Sequence, residues 1–278
     1  MSAAALPADT LASGKGHRDE NFPVASWLLK PEHRAPIMAF YRFARKADDI
    51  ADHESAAPAE KLRQLAAMRD GLDNAGTDAE ALALRDTMAA ARIDPVHASD
   101  LLGAFVQDVS VRRYADWDDL IAYCRLSAMP VGRYVLDVHR ENRSETWPGN
   151  DALCAALQII NHLQDCGNDY RDLDRVYIPV DTMAARGARV EELGADTASP
   201  ALLAAIRDTA ARTRGLLATS RGFAARIEDR RLAAEVRVIQ RLAEDLTRRL
   251  LVRDPLSQPV HHTKWQAGRL ALAALVGR

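Results

Sequence analysis

Polar and apolar residues recur at helical spacing through most of the chain. The pattern predicts helices over 34–53, 58–75, 78–91, 96–107, 116–141, 150–170, 200–226 and 229–252, with a shorter one near 264–276. Pro31, Pro58, Pro95, Pro148, Pro179, Pro200, Pro255 and Pro259 fall in the gaps, where helices start or stop. Pro130 sits inside the 116–141 pattern and predicts a kink. No fixed repeat, low-complexity segment or hairpin signal interrupts the series. The expectation is one all-α domain over 17–278, preceded by a flexible lead-in over 1–16.

Composition supports that picture. Of the 278 residues 48% are hydrophobic, enough for a core, and only 5% are aromatic, which favours helix over strand. A formal net charge of −2 gives no bulk attraction to nucleic acid. The three cysteines, Cys124, Cys154 and Cys166, have neither zinc-ligand nor redox spacing and read as free thiols in a reducing cytoplasm. The start of the chain lacks the basic and apolar regions of a signal peptide, and no apolar run approaches the ~20 residues of a membrane span. The stretch LALAALVGR either lies on a membrane surface or closes the last helix.

Candidate chemistry begins at FYRFARKADDIADH, residues 40–53. On a helical wheel with Ile37 at zero, Tyr41 falls at about 40°, Arg45 at about 80°, Asp48 at about 20° and Asp52 at about 60°. Asp48 and Asp52 are neighbours on successive turns, so both carboxylates can address one cation. Asp49 lies outside the stripe, at about 120°. Arg42, Lys46, Asp49 and His53 continue the polar face as a solvated helix would. A second stripe lies in ALQIINHLQDCGNDYRDLDRVYIP, residues 156–179. With Gln158 at zero, Asn161 falls at about 300°, Asp165 at about 340° and Asp169 at about 20°. Short amides and carboxylates are costly to bury unless ligated or hydrogen-bonded. Two such stripes suit a magnesium–diphosphate site, because magnesium takes one or two carboxylates and phosphate oxygens.

On these motifs the sequence resembles the squalene/phytoene synthase family, from about His17 to Lys264. The first motif matches at Tyr41, Arg45, Asp48, Asp49 and Asp52. The second matches at Gln158, Asn161, Asp165 and Asp169, followed by residues 174–179. GHRDENFPVAS, with His17, Asn21 and Phe22, resembles the family segment that touches a substrate diphosphate. The resemblance implies an isoprenoid-synthase helical bundle around a central apolar cavity. It implies Mg2+ held by Asp48, Asp52, Asp165 and Asp169 with Asn161, and a prenyl diphosphate substrate contacted by Arg45, Arg175, Tyr41 and Lys264. Tyr177 would sit at the cavity mouth, and Tyr123, Gln158 and Gln164 join the substrate-binding set.

The departures narrow the reading. Where condensing members carry a tyrosine and small-residue run, this chain has YCRLSAMPVGRYVL, with Arg125, Ser127 and Pro130. Gln164 stands where condensing members often carry arginine. Both changes resemble the branch that makes hydroxysqualene from presqualene diphosphate beside bacterial hopanoid biosynthesis. Ser127, Asn161 or Gln164 would then hold the water that captures the cation. Ser127 also fits as a packing residue at the Pro130 kink, and Tyr123 and Tyr134 as core. His261 and His262 read as loop residues without acid partners. Two alternatives stay open: condensation of two prenyl diphosphates, and a non-catalytic helical assembly factor on the same fold. A very apolar product implies peripheral membrane contact, on the cytoplasmic face, through a patch the sequence does not locate.

Overall fold

The computed structural model describes residues 30–53, 55–73 and 75–276. His17, Asn21, Phe22 and the lead-in lie outside the described residues. The chain divides between Ser110 and Val111 into two compact units. No composition shift marks that division.

The first unit holds α1 (Pro31–Asp52), α2 (Pro58–Leu72), α3 (Ala79–Ala91) and α4 (Val96–Asp108). Pro31 and Pro58 open their helices, where proline's missing N–H is no loss. Asp78 opens α3 by accepting the Ala81 N–H at 3.0 Å. Ile37, Phe40, Phe43, Ala47 and Ile50 recur every three or four residues on α1 and are buried. That stripe packs α1 against α3 and α4. Lys46, expected on a solvated face, reaches Asp78 at 2.8 Å, and Arg42 reaches Glu80 at 3.4 Å. The flank of α1 is thus tied to the start of α3, and the carboxylates are left on the neighbouring arc.

The second unit holds α5 (Trp117–Ser127), α6 (Met129–Val138), α7 (Arg143–Gln164), α8 (Cys166–Leu173), α9 (Val180–Ala185), α10 (Pro200–Ser220), α11 (Arg230–Leu250) and α12 (Lys264–Val276). Two 3-10 turns, Val190–Gly194 and Phe223–Arg226, fill connections. The central helix is α7, with α10, α6, α11 and α5 packed around it. Gly132 allows the close approach of α6. A Cβ there would overlap Asn150 Oδ1 and come within 2.7 Å of Cys154 Sγ. Among the described residues no strand forms, and a single parallel bridge joins Arg113 to Val176.

Three predicted elements differ. The kink expected at Pro130 is a full break. Ala128 adopts φ −121°, ψ −47°, so α5 ends at Ser127 and Pro130 lies in the first turn of α6. The helix expected from 150 begins at Arg143, because the Asn142 side chain accepts the Ser144 N–H at 3.0 Å. It also ends early, at Gln164, and α8 starts after Asp165. The helix expected to reach 226 stops at Ser220, before Gly222 with φ 92°.

Candidate functional site

In the first unit, α1 carries the motif near its C-terminal end. The Arg45 guanidinium forks over two carboxylates, Nη1 lying 3.0 Å from Asp48 Oδ2 and Nη2 2.6 Å from Asp49 Oδ1. Asp49, outside the predicted stripe, is therefore a partner of the arginine. Tyr41, one turn before Arg45, is half-buried, as is Asp52 one turn after Asp48. Burial pushes the Asp48 carboxyl up to about 7; the charge of Asp52 adds to the rise, Arg45 opposes it, and Asp49 and Asp108 add again. Its side chain is 37% exposed, so water reaching the open flank screens part of that repulsion. Asp108, on α4, is 5% exposed and belongs to this acidic group, although the sequence reading did not single it out.

In the second unit, the motif straddles the break between α7 and α8. Asp165 occupies the break, with φ −104° and ψ 9°, and its carbonyl accepts the Asp169 N–H at 2.8 Å. The two aspartates therefore stand one backbone-bonded turn apart across a break, not within the single helix that the sequence pattern predicts. Each meets an imidazole instead. His261 Nε2 lies 3.7 Å from Asp165 Oδ1, and His162 Nδ1 lies 3.4 Å from Asp169 Oδ2. Gln158 Nε2 stands 2.9 Å from His162 Nε2. Since that amide nitrogen is a donor, its bond assigns the imidazole proton to Nδ1, facing Asp169. The His162 ring lies flat on Tyr177, centroids 3.3 Å apart and planes 9° from parallel. Tyr114 and Tyr123 complete a buried cluster, 5.6 Å and 5.7 Å from Tyr177.

Other predicted residues fall around this arrangement. Asn161 is half-buried on α7, and its carbonyl accepts the Asp165 N–H at 3.0 Å. Gln164 is buried, and its Nε2 is 3.2 Å from His261 Nδ1. Arg175 is buried, with its backbone N–H on the Asp169 carbonyl at 3.0 Å. The preceding Asp174 sits at φ 51° and pairs with Arg113 at 2.5 Å. Tyr177 and Tyr123 are buried in the aromatic cluster. Tyr134 is fully buried in α6, as core packing implies. Ser127 ends α5 with its hydroxyl buried. Lys264 opens α12 and is exposed.

The reading of His261 and His262 needs correction. Both lie outside helices, yet both have acid partners: His261 meets Asp165, and His262 Nε2 meets Asp245 Oδ2 at 2.9 Å. Burial raises the Asp245 carboxyl, but the hydrogen bonds and charges of His262 and Arg249 outweigh it and hold the group low. Burial, helped by the charges of Arg249 and His261, lowers His262 against the opposing pull of Asp245. His162 was legible in principle, at about 40° on the Gln158 wheel, beside Asp169. His261 was not, being 97 residues from Gln164.

Comparisons with known proteins agree in one direction. The family model described as squalene/phytoene synthase matches residues 16–266. A hydroxysqualene synthase of Zymomonas mobilis is 54% identical over 98% of this chain and 93% of its own. Another, of Rhodopseudomonas palustris, is 55% identical over 91% and 87%. A crystal structure of a squalene synthase from Alicyclobacillus acidocaldarius superposes with a TM-score of 0.73 at 27% identity, covering 87% of this chain and 90% of that one. A dehydrosqualene synthase structure shares the fold, with a TM-score of 0.76 at 20% identity over 96% and 94%.

Proposed function

The chain belongs to the squalene/phytoene synthase family, and on that premise we propose that it is a hydroxysqualene synthase. It ionises presqualene diphosphate, lets the cyclopropylcarbinyl cation rearrange, and adds water to give hydroxysqualene. The C–O bond to diphosphate breaks with its electron pair, water forms the new C–O bond, and the surplus proton leaves with diphosphate. No electrons are exchanged, so no reductant is needed. The observation that carries the reading is the near-full-length likeness to proteins named hydroxysqualene synthase.

The donor set fits magnesium. Burial first, and then the charges of Asp52, Asp49 and Asp108, make the Asp48 carboxyl resist ionising, and a divalent cation offsets both effects. Asp48 and Asp52 would hold such an ion on the first unit, and Asp165 and Asp169 with Asn161 would hold one on the second. Bound, it would neutralise charge developing on the leaving diphosphate. Arg45 on the first unit and Arg175 on the second each supply fixed positive charge suited to a diphosphate, and Tyr41 a hydroxyl. His162 holds the Asp169 carboxylate and the Tyr177 ring in one geometry. The rings of Tyr114, Tyr123 and Tyr177 offer π faces that stabilise a carbocation without bonding to it.

Water capture has candidate holders in Ser127 and Gln164. Ser127 Oγ and Gln164 Oε1 are buried, and among the described residues neither has a hydrogen-bond partner. Buried polar atoms of this kind call for a partner, and a water supplies one. Incubation with presqualene diphosphate and magnesium, without reductant, followed by mass analysis, tests the assignment. The expected product is the alcohol. Hydrocarbon alone, or turnover of farnesyl diphosphate as sole substrate, would favour the condensing reaction instead.

A further inference from the structure

We propose that the outer face of α12 docks on a phospholipid surface carrying anionic headgroups. One side of α12 packs on α11. Ala267, Leu270, Ala271 and Ala274 face that side, each partly covered, and they span about 240° to 340° on a wheel with Lys264 at zero. The opposite arc carries large apolar residues where solvent-facing polar ones belong. Leu275 falls at about 20°, Leu272 at about 80° and Trp265 at about 100°. They are 46%, 64% and 83% exposed. Lys264 and Arg269, both exposed, border the strip at 0° and about 140°.

Single exposed apolar residues need no explanation, but a contiguous strip marks a contact surface. Its borders identify the partner. Tryptophan settles at the headgroup level of a bilayer, and flanking Lys and Arg extend their stems over apolar surface to place cations on phosphate. An apolar strip edged by basic residues is the pattern of a helix lying in the interface plane. A superficial contact also fits the length of the elements, since no helix among the described residues is long and apolar enough to cross a membrane.

The base of α12 is held firmly. Thr263 Oγ1 accepts the Gln266 N–H at 3.3 Å, and Gln266 Oε1 accepts the Thr263 N–H at 3.1 Å. The preceding loop is strapped to α11 and the turn beyond it by His262 on Asp245 at 2.9 Å, Arg249 on the His261 carbonyl at 3.3 Å and Arg253 on the Pro259 carbonyl at 2.6 Å. The strip is therefore presented on an anchored helix. The product of the proposed reaction is almost wholly hydrocarbon, and a bilayer is where it dissolves; only this supporting argument rests on that reading.

The test is co-sedimentation of the full chain with vesicles of phosphatidylcholine alone, or with added phosphatidylglycerol, at low and high salt. The wild type binds the anionic vesicles more strongly, and salt weakens that binding. Combined Trp265→Ser, Leu272→Ser and Leu275→Ser lowers binding about tenfold or more. Arg269→Glu alone removes most of the preference for anionic lipid, and being a single exposed change it keeps the test open if the triple variant fails to fold. Both variants keep turnover with detergent-dispersed substrate. The proposal is overturned if the wild type binds neither vesicle, binds both equally, or if the triple variant binds as the wild type does. It also fails if the strip proves to join two copies of the chain, seen as a wild-type dimer that the triple variant splits. Loss of turnover by the wild type in detergent would count against the proposed reaction and leave the vesicle result standing.

Discussion

His162 Nδ1 faces Asp169 Oδ2 at 3.4 Å while its ring lies on Tyr177 at a centroid distance of 3.3 Å. One side chain therefore orients both a proposed magnesium ligand and an aromatic wall. Partners that orient ligands are worth about 10- to 100-fold in metal affinity or activity. His162→Ala is expected to lower kcat by about that factor and to raise the magnesium needed for half-maximal rate. His162→Asn, which keeps a donor toward Asp169, should restore part of the metal response. Kinetics at varied magnesium check this; a lower rate with an unchanged magnesium requirement would leave His162 a packing residue.

Asp48 links the acidic group to stability. Its carboxyl is raised from 3.8 to about 7, with burial the largest cause and Asp52 next. The native state thus binds this proton more tightly than the unfolded chain does. The contribution is fully present below about pH 4 and is lost as pH rises through about 7. Asp48→Asn removes the charge, so without metal the variant should melt on the order of 1–3 °C above wild type at pH 8 and level with it near pH 4. The gain is small because the side chain is 37% exposed. Added magnesium should raise the wild-type melting temperature more than the variant's. Thermal scans across pH with and without magnesium provide the measurement.

Ser127 carries a buried hydroxyl without a partner among the described residues. Deleting an unpaired buried polar group does not destabilise, and Ser127→Ala should be neutral or up to about 1 kcal/mol more stable. The same change should divert product from alcohol toward alkene by removing one holder of the capturing water. Gln164→Leu, which removes the other holder's buried oxygen, also unpartnered among the described residues, should act in the same direction on product. Product ratios beside denaturant midpoints decide this; alcohol formation untouched in both variants would sink the water-holding role.

Gly132 tests the packing that sets α7 in place. Gly132→Ala pushes a methyl into Asn150 Oδ1 and Cys154 Sγ, and the bond from Asn150 Nδ2 to the Met129 carbonyl, 3.2 Å long, must shift. The expected loss is about 1–3 kcal/mol, read from denaturant midpoints.

Helix periodicity made the elements legible, because α1 buries Ile37, Phe40, Phe43 and Ile50 at the spacing the pattern predicts. Prolines at helix starts gave Pro31, Pro58 and Pro200 as boundaries. Asp165 was read inside a helix because nothing in its own side chain signals a break. The Lys46 contact with Asp78 was hidden for a similar reason, since a lysine on a polar arc looks solvated until another helix is placed beside it. His261 joins Asp165, and Asp108 joins Asp48, through the chain's return from distant segments, which spacing along one helix does not reveal.

The central claim is that water, not hydride or a second prenyl chain, ends the reaction. Turnover of presqualene diphosphate in water labelled with heavy oxygen tests it most directly. The account predicts hydroxysqualene carrying one labelled oxygen, formed with magnesium and without reductant. An alcohol retaining unlabelled oxygen, or a hydrocarbon as the only product, would contradict it.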